Sequence, residues 1–394
     1  MSYSEGPMEG PRHPTKAEYP ALIKFLSKSY GFSDPRWFEK DTPTYFGASQ
    51  DRLATKWLLK SGNRIASHVG IFPFTALVGS SRLKVAGIGS VATHPDFRGR
   101  GLMKRLMDHA VGEMEKAGYD LSILWGERGL YGHYGYERAL YQDRFEFTQK
   151  TLKYSIVPKG VRPARNGDGT SLRKMFARQF YRVERTAAYS LGVQRRFSRD
   201  WPEPAWVLEE GGKTKAYVIV SKSPTGTLEV AEWGGETEDV VCLMATVLQK
   251  KDLRWLTLSL YPGTGLYRWA CDNNDNQERT SFSSMIRVFK LGKVLKAFEE
   301  QLRDRALKSP IKIARSLELR SEKGDGVVLR FGKGLSVSSS GKADRILSLS
   351  DREVTTLLFG CGRPSVTLGE KLAGLEWLDG LFPLDWFWWR SDWI

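Results

Sequence analysis

The sequence predicts a fold of the α/β (α+β) class, in which helices pack on mixed sheets, and more than one domain. The chain has 394 residues, which exceeds the usual size of a single domain. Short apolar runs bounded by glycine, asparagine and serine alternate with segments whose apolar residues recur at helical spacing. One apolar run, residues 85–92, leads through a loop rich in glycine and arginine into a helical pattern. This order of elements is typical of α/β units that bind an anion.

The composition argues against several other classes of protein. Three cysteines, odd in number and far apart, predict neither a disulfide framework nor a metal site. The amino-terminal residues are polar and rich in proline and glycine, and the apolar runs are too short to span a bilayer. Basic residues are scattered along the chain, so the net charge of +15 favours polyanions in general without indicating nucleic acid. We therefore expect a cytoplasmic protein that binds neither nucleic acid nor a membrane.

The first part of the chain predicts one complete α/β unit. An apolar stripe with proline near its start predicts a first helix from Tyr19 to about Gly31. Turn residues then separate successive strands, and a second helix follows the basic loop. The predicted strands and second helix cover residues 53–59, 64–78, 82–92, 102–118 (the helix), 121–125 and 136–148.

The loop before the second helix has the composition of a pyrophosphate site. Its glycines allow the backbone to approach a ligand, and the first N–H groups of the helix point towards it. Arg98, Arg100, Lys104 and Arg105 add positive charge.

Two motifs resemble the GNAT acetyltransferase family. Arg98-Gly99-Arg100-Gly101 follows a strand that ends Val91-Ala92-Thr93, as in the family's acetyl-CoA loop, although Met103 stands where glycine or alanine is usual. The segment 130–136, Leu-Tyr-Gly-His-Tyr-Gly-Tyr, resembles the family's Tyr-x-x-x-Gly-Phe motif. The resemblance implies acetyl-CoA as co-substrate and no metal.

The remaining segments predict a repeat and an added module. Residues 151–287 show a similar order of elements, with helical spacing over 167–185 and 240–250, but Glu236, Glu238 and Asp239 replace the basic loop and would repel a pyrophosphate. Residues 288–394 predict a helix, a small antiparallel sheet and a helix that opens with a capping box at Ser350. That arrangement resembles a sterol-carrier-protein-2-like (SCP2-like) module.

This order of segments resembles the enhanced-intracellular-survival (Eis) family of N-acetyltransferases. The implied architecture is a catalytic GNAT domain at 1–150, a degenerate GNAT-like domain at 151–287 and an SCP2-like domain at 288–394. The fold class is then two tandem GNAT-like mixed-sheet domains followed by that C-terminal domain. Relatives assemble as homo-oligomers, so a hexamer or trimer is expected.

The resemblance also implies the roles of individual residues. The cofactor would be held by Val91, Ala92 and Thr93 along the pantetheine arm, by Arg98, Gly99, Arg100, Gly101, Leu102, Met103 and Lys104 at the pyrophosphate, and by Gly126 and Glu127 at the next strand end. Tyr131, which its position in the motif favours, would protonate the departing thiolate; the alternative is a packed aromatic side chain. The family's base is its terminal carboxylate, which here belongs to Ile394; His133 is the alternative.

The last residues carry an independent signal. Residues 381–394 are among the most aromatic in the chain, with four tryptophans from Trp386 to Trp393. Burial of such a tail would raise the pKa of a terminal carboxyl and make it a better base. The tail could instead pack only for stability, form a subunit contact or anchor at a membrane surface, although Asp385 and Asp392 disfavour the membrane.

The predicted function is acetyl transfer from acetyl-CoA to a primary amine by direct transfer in a ternary complex, since no cysteine or serine is placed as a nucleophile. Aminoglycosides, polyamines and lysines remain open as acceptors. The alternative is a non-catalytic acyl-CoA- or lipid-binding protein that retains the same folds.

Overall fold

In a computed structural model, the structure describes residues 6–156, 159–185, 205–223, 225–281, 284–308, 316–332 and 334–392. The chain forms two compact units. Unit 1 contains Met1–Ala139 and Ser283–Leu384, and unit 2 contains Leu140–Phe282 and Asp385–Trp393. These units divide the chain differently from the boundaries expected at 150 and 287, and the division into three domains stays a prediction.

The strands of the described chain are numbered β1 to β19. They are β1 Met8–Arg12, β2 Lys56–Ser61, β3 Arg64–Val78, β4 Ser81–Thr93, β5 Leu121–Trp125, β6 Glu137–Arg138, β7 Gln142–Thr148, β8 Val161–Pro163, β9 Tyr181–Val183, β10 Ala205–Glu210, β11 Lys213–Lys222, β12 Leu228–Gly235, β13 Trp255–Leu260, β14 Asn276–Thr280, β15 Ser284–Val288, β16 Ser316–Ser321, β17 Gly326–Phe331, β18 Leu335–Ser338 and β19 Arg345–Leu349.

The α-helices of the described chain are numbered α1 to α13. They are α1 Tyr19–Ser29, α2 Trp37–Asp41, α3 Gln50–Leu53, α4 Leu102–Lys116, α5 Arg128–Tyr131, α6 Gln149–Leu152, α7 Gly169–Phe176, α8 Thr237–Lys250, α9 Gly265–Asn273, α10 Leu291–Ala297, α11 Glu299–Lys308, α12 Asp351–Phe359 and α13 Pro364–Thr367. None of them is long and apolar enough to cross a membrane.

Unit 1 is organised around a mixed sheet with the strand order β1-β2-β3-β4-β5-β15-β6. A tight turn through Gly79, at φ +57°, joins the two long strands β3 and β4, and Val78 pairs with Ser81 across it. The pairing of β4 with β5 is parallel, whereas β15 pairs antiparallel with β5. The sheet is therefore mixed, as the sequence predicts.

Helix α4 packs on the core of unit 1 through one apolar face. Its buried residues, which recur at the spacing of three to four that the sequence shows, are Leu102, Leu106, Met107, Ala110, Val111 and Met114. The helix ends before Gly118, whose φ of +70° suits a residue without a side chain. Burial of this face fixes where the N-terminus of α4 meets the end of β4.

Strands β16 to β19 of unit 1 form a second, smaller sheet. Its strand order is β18-β17-β16-β19, and β16 pairs antiparallel with β17 and parallel with β19. The predicted capping box at α12 is confirmed, because Ser350 Oγ accepts from the Glu353 N–H and the Glu353 carboxylate accepts from the Ser350 N–H.

Unit 2 contains a seven-stranded sheet in the order β14-β7-β13-β12-β11-β10-β8. Its central pairings follow the same scheme as those of unit 1: two antiparallel neighbours, then a parallel pair, then an antiparallel strand. Helix α8 carries the acidic residues Glu238 and Asp239 in its first turn, where the helix dipole favours negative charge.

Three element predictions are wrong in their bounds. The predicted strand 136–148 is two strands, β6 in the sheet of unit 1 and β7 in the sheet of unit 2. The helical spacing over 167–185 yields a helix only to Phe176, followed by the strand β9. The strand predicted at 53–59 begins at Lys56, because Leu53 ends α3. In the first two cases strand pairing overrides a local pattern, and in the third a short helix takes the first of the predicted strand residues.

Candidate acyl-transfer site

The two central parallel strands of unit 1 separate towards their carboxyl ends. Pairing between β4 and β5 runs from Val85 with Leu121 to Gly87 with Ile123 and stops there. Strand β4 then continues to Thr93, so its last residues, including Val91, Ala92 and Thr93, border a gap in the sheet. Such a gap at the carboxyl ends of parallel strands is a common place for a ligand to enter an α/β sheet.

A β-bulge interrupts β4 beside this gap. Its register with β3 shifts between the pairs Gly70 with Gly89 and His68 with Ala92. Ser90 lies within the shift at a φ of +48°, which is uncommon for a residue with a side chain. The bulge redirects the backbone at Val91, the residue that the resemblance places against the thioester.

A buried histidine holds the bulge in place. The Nδ1 of His68 lies 2.7 Å from the Ser90 carbonyl oxygen, a hydrogen bond that requires the proton on Nδ1. Burial lowers the pKa of His68 to about 3, so the ring is neutral at working pH. His68 is therefore a supporting residue of the site that sequence patterns did not single out.

The low pKa of His68 predicts a pH dependence of stability. An unfolded histidine titrates near 6.5, so the unfolded chain binds one more proton than the folded chain between about pH 6.5 and 3. The stabilisation is complete above pH 6.5 and falls by about 1.4 kcal/mol per pH unit as the pH is lowered through this window. Denaturant unfolding at several pH values should show a shallower acid dependence for His68→Gln. Parallel curves for the two proteins would contradict this assignment.

The two glycines of the loop between β4 and α4 face open space. Gly99 and Gly101 have φ values of +74° and +70°, and a Cβ atom at either position would meet nothing within 4 Å. Gly101 is the N-cap of α4, no side chain caps this helix, and its first turn contains no acidic residue. The N-terminal N–H groups of α4 are thus available for an anion.

The basic side chains of this loop differ in how they are engaged. Arg98 is exposed, whereas Arg100 donates to the Asp96 carbonyl oxygen at 3.1 Å and lies over the Phe97 ring. The Nζ of Lys104 is 2.6 Å from the Asp108 carboxylate. Leu102 is buried, and Met103 is half-buried against the hydrophobic core. Met103 therefore contributes to the core packing of unit 1.

Tyr131 is the last residue of α5, the short helix that follows β5. Its ring covers Gly126 so closely that a Cβ there would lie 2.4 Å from the ring. The ring packs against the same hydrophobic core as Val91 and Met103, and burial raises the pKa of its phenol well above the ordinary value. Tyr131 therefore remains protonated at any working pH. Glu127, which precedes it, is exposed, and its carbonyl oxygen accepts from the Tyr131 N–H.

The neighbouring tyrosines differ from Tyr131 in their environment. Tyr136 is fully buried and donates its hydroxyl to Ser122 Oγ at 2.7 Å, and Ser122 in turn donates to the Ala86 carbonyl oxygen. Ser122 thus links β5 to β4 where they are still paired, and Tyr136 donates to it. Tyr134 is half-buried and ends the 3₁₀ turn that directly follows α5.

Tyr30 of the segment after α1 also contacts the end of β4. Its hydroxyl donates to the Val91 carbonyl oxygen at 3.2 Å, and its ring makes an edge contact with Phe38. In the sequence Tyr30 belongs only to the apolar stripe of α1, so no local signal marks it.

The candidate bases are less well defined by the geometry. His133 is exposed, and burial lowers the pKa of both His94 and His109. Ile394 lies outside the described residues. Among the described residues, no group of three or more histidine, cysteine or carboxylate side chains is arranged to hold a metal ion.

Unit 2 has an equivalent gap that is filled from within the unit. Pairing of β12 with β13 stops after Val230 with Leu258, while β12 continues to Gly235. Phe387 and Trp389 line this gap together with Val230 and Thr257. The aromatic tail therefore packs in the gap of unit 2.

Buried charges secure the tail within unit 2. The Arg185 guanidinium contacts Glu232 and Asp392 at 2.8 Å each, and the side chains of all three are almost fully buried. Trp389 donates its indole N–H to the Tyr181 carbonyl oxygen at 2.7 Å. Arg390 forms an ion pair with Glu229.

A parallel-strand gap, a bulge beside it and an open glycine loop at a helix N-terminus together form a candidate site for an anionic ligand. Residues 11–139 match the family described as Acetyltransferase (GNAT) domain. This part of the chain is therefore similar to a GNAT acetyltransferase domain, and the match supports acyl transfer as the general class of chemistry. Acetyl-CoA is the co-substrate of that family. No curated protein matches the sequence.

Solved structures share the fold over most of the chain. A GCN5-related N-acetyltransferase from Anabaena variabilis ATCC 29413 has a TM-score of 0.70 at 17% identity, covering 97% of this chain and 99% of that one. A GCN5-related N-acetyltransferase from Kribbella flavida gives 0.66 at 18% identity, covering 97% and 98%. Eis1 from Mycobacterium abscessus gives 0.59 at 11% identity, covering 89% and 88%. The expected likeness to Eis is thus present at the level of the fold.

Proposed function

We propose that the chain is an acetyl-CoA-dependent N-acetyltransferase that transfers the acetyl group directly to a primary amine. One observation carries the proposal. The bulge at Ser90–Val91, the uncapped N-terminus of α4 and the ring of Tyr131 over Gly126 all border the open end of the β4–β5 pair. These are the parts that thioester aminolysis needs: carbonyl polarisation, an anion anchor and a proton donor.

In this proposal each part of the site has a separate task. Backbone groups from Val91 to Thr93 bind the pantetheine arm and polarise the thioester carbonyl. The loop from Arg98 to Lys104, with Leu102 and Met103 at the helix start, holds the pyrophosphate through N–H groups and positive charge. Gly126 and Glu127 border the thiol end. The bound co-substrate supplies the activated acetyl group.

In the proposed reaction the acetyl group moves from the sulfur of CoA to the nitrogen of the amine. The amine nitrogen attacks the carbonyl carbon, the N–C bond forms, and the C–S bond breaks with its electron pair on sulfur. The amine proton goes to a base, and the thiolate takes a proton from the Tyr131 hydroxyl. Exchange with solvent then deprotonates the base and returns a proton to the tyrosinate. Burial raises the pKa of Tyr131, which keeps its hydroxyl protonated, and the same desolvation would favour the neutral thiol over the thiolate. By resemblance, the proposed base is the terminal carboxylate of Ile394, with His133 as the alternative.

We further propose that unit 2 contains a degenerate GNAT-like repeat without cofactor. The matching pairing scheme, the acidic first turn of α8 and the filling of its gap by Phe387 and Trp389 support this. The SCP2-like character of the last module, a cytoplasmic location and a hexameric or trimeric assembly belong to the same proposal and rest on the resemblance. The acceptors remain aminoglycosides, polyamines or lysines.

The proposal predicts CoA release from acetyl-CoA in the presence of some members of an amine panel. The panel should include an aminoglycoside, a polyamine and a lysine peptide, and calorimetry should find one acetyl-CoA per chain because the gap of unit 2 is filled. If acetyl-CoA or a lipid binds but no amine is turned over, the non-catalytic carrier is the correct function. A variant extended beyond Ile394 that binds acetyl-CoA with collapsed turnover supports the terminal base, and unchanged turnover excludes it.

A further inference from the structure

The turn that carries Tyr131 cannot fix its own geometry. Helix α5 has four residues, fewer than an isolated helix needs to be stable. Within the turn, the N–H groups of Leu130 and Tyr131 both donate to the Glu127 carbonyl oxygen. A proton donor must nevertheless be held in a narrow range of positions. Contacts from outside the turn must therefore supply this order.

Glu137 supplies one anchor through two arginines. Its Oε1 accepts from Arg128 Nε at 2.5 Å, at the start of α5, and from the Arg138 N–H at 3.0 Å. Its Oε2 accepts from Arg352 Nε at 2.9 Å and Nη2 at 2.7 Å. Burial by itself would raise the pKa of Glu137, but the hydrogen bonds from Arg128 and Arg352 lower it overall, so the carboxylate is charged.

Arg287 anchors the other side of the turn. Its Nη1 donates to the Tyr134 carbonyl oxygen at 2.6 Å, and its Nη2 contacts Asp351 at 2.9 Å. A Cβ at Gly135, where φ is +80°, would lie 3.2 Å from both Arg287 and Asp351. The chain on both sides of Tyr131 is thus held by residues of β15 and α12.

We propose that Glu137 and Arg352 are positioning residues for Tyr131, and that α12 thereby sets the geometry of the proton donor. This inference rests on the proposed function. It gives residues 284–384 a role in the acyl-transfer site that is independent of lipid binding. Because Arg352 is 40% exposed, its pairing contributes little to global stability, so its effect should appear chiefly at Tyr131.

The test is the kinetics of Arg352→Met. Misplacement of the donor should lower kcat by roughly 10- to 100-fold and leave KM for acetyl-CoA unchanged. Arg352→Lys, which keeps the charge and one donor, should recover part of the loss. The matched control is Lys371→Met, which removes an ion pair with Glu353 on the same helix and should leave kcat unchanged. Glu137→Gln should behave as Arg352→Met does.

A double variant distinguishes positioning from a general structural effect. If Arg352 acts through Tyr131, adding Arg352→Met to Tyr131→Phe should cost no further activity. Multiplied losses, a rise in KM alone, or an equal loss in Lys371→Met would overturn the inference.

A second measurement does not depend on turnover. The ¹⁹F resonance of fluorotyrosine at position 131, assigned with Tyr131→Phe, should shift or broaden in Arg352→Met and not in Lys371→Met. An unchanged resonance would refute the inference even in an active enzyme, and a changed one would support it even if no amine is acetylated. The resonance therefore tests the position of Tyr131, and the kinetics test the proposed function, so the two can fail independently.

Discussion

Replacement of Tyr131 by phenylalanine is expected to lower kcat by about 10²- to 10⁴-fold, the usual contribution of a general acid. The ring would still cover Gly126 and pack on the core, so the fold and the KM for acetyl-CoA should be preserved. What is lost is the hydroxyl, which burial keeps protonated and therefore able to donate to the thiolate. Steady-state kinetics with the best amine of the panel measure this.

Tyr134 provides the matched control for this prediction. It lies in the same tyrosine-rich turn and is half-buried, but its carbonyl oxygen rather than its ring is held by Arg287. Tyr134→Phe should therefore change kcat less than about threefold, well below a general-acid effect. Equal losses in the two variants, or a Tyr131→Phe enzyme of nearly full activity, would remove Tyr131 from its proposed role.

Replacement of Trp389 by alanine should cost about 3–5 kcal/mol of unfolding free energy, as is usual for a buried tryptophan. The side chain is 2% exposed and makes ring contacts with Phe176, Trp233 and Phe387. Its removal leaves a cavity in the gap of unit 2 and the Tyr181 carbonyl oxygen without its indole partner. Urea denaturation monitored by circular dichroism measures the loss.

Trp255→Ala makes the same chemical change at a surface position of unit 2. Trp255 is 36% exposed, and Arg254 lies over its ring. We expect that variant to lose about 1 kcal/mol or less, because a half-exposed ring leaves no sealed cavity. If Trp389→Ala is no more destabilising than Trp255→Ala, the tail does not form part of the core of unit 2.

Local sequence patterns predicted much of the candidate site. The apolar spacing of α4, the glycines at 99 and 101 and the capping box at Ser350 all act over a few residues, and the structure has each of them. The motif indicates Tyr131, which is half-buried, whereas Tyr136 is fully buried and its hydroxyl donates to Ser122. Such features depend on residues that lie close together in the sequence, so local patterns can predict them.

Only the tertiary structure decided the features that join distant parts of the chain. Strand β7 pairs with β13 and strand β15 with β5, although the sequence predicted 136–148 as one strand. Arg352 reaches Glu137 across 215 positions, and Tyr30 reaches Val91 across 61. Strand pairing and ion pairing at such separations depend on which surfaces the folded core brings together. The sequence by itself determined the local elements and the composition of the loop, and the fold determined which residues surround Tyr131.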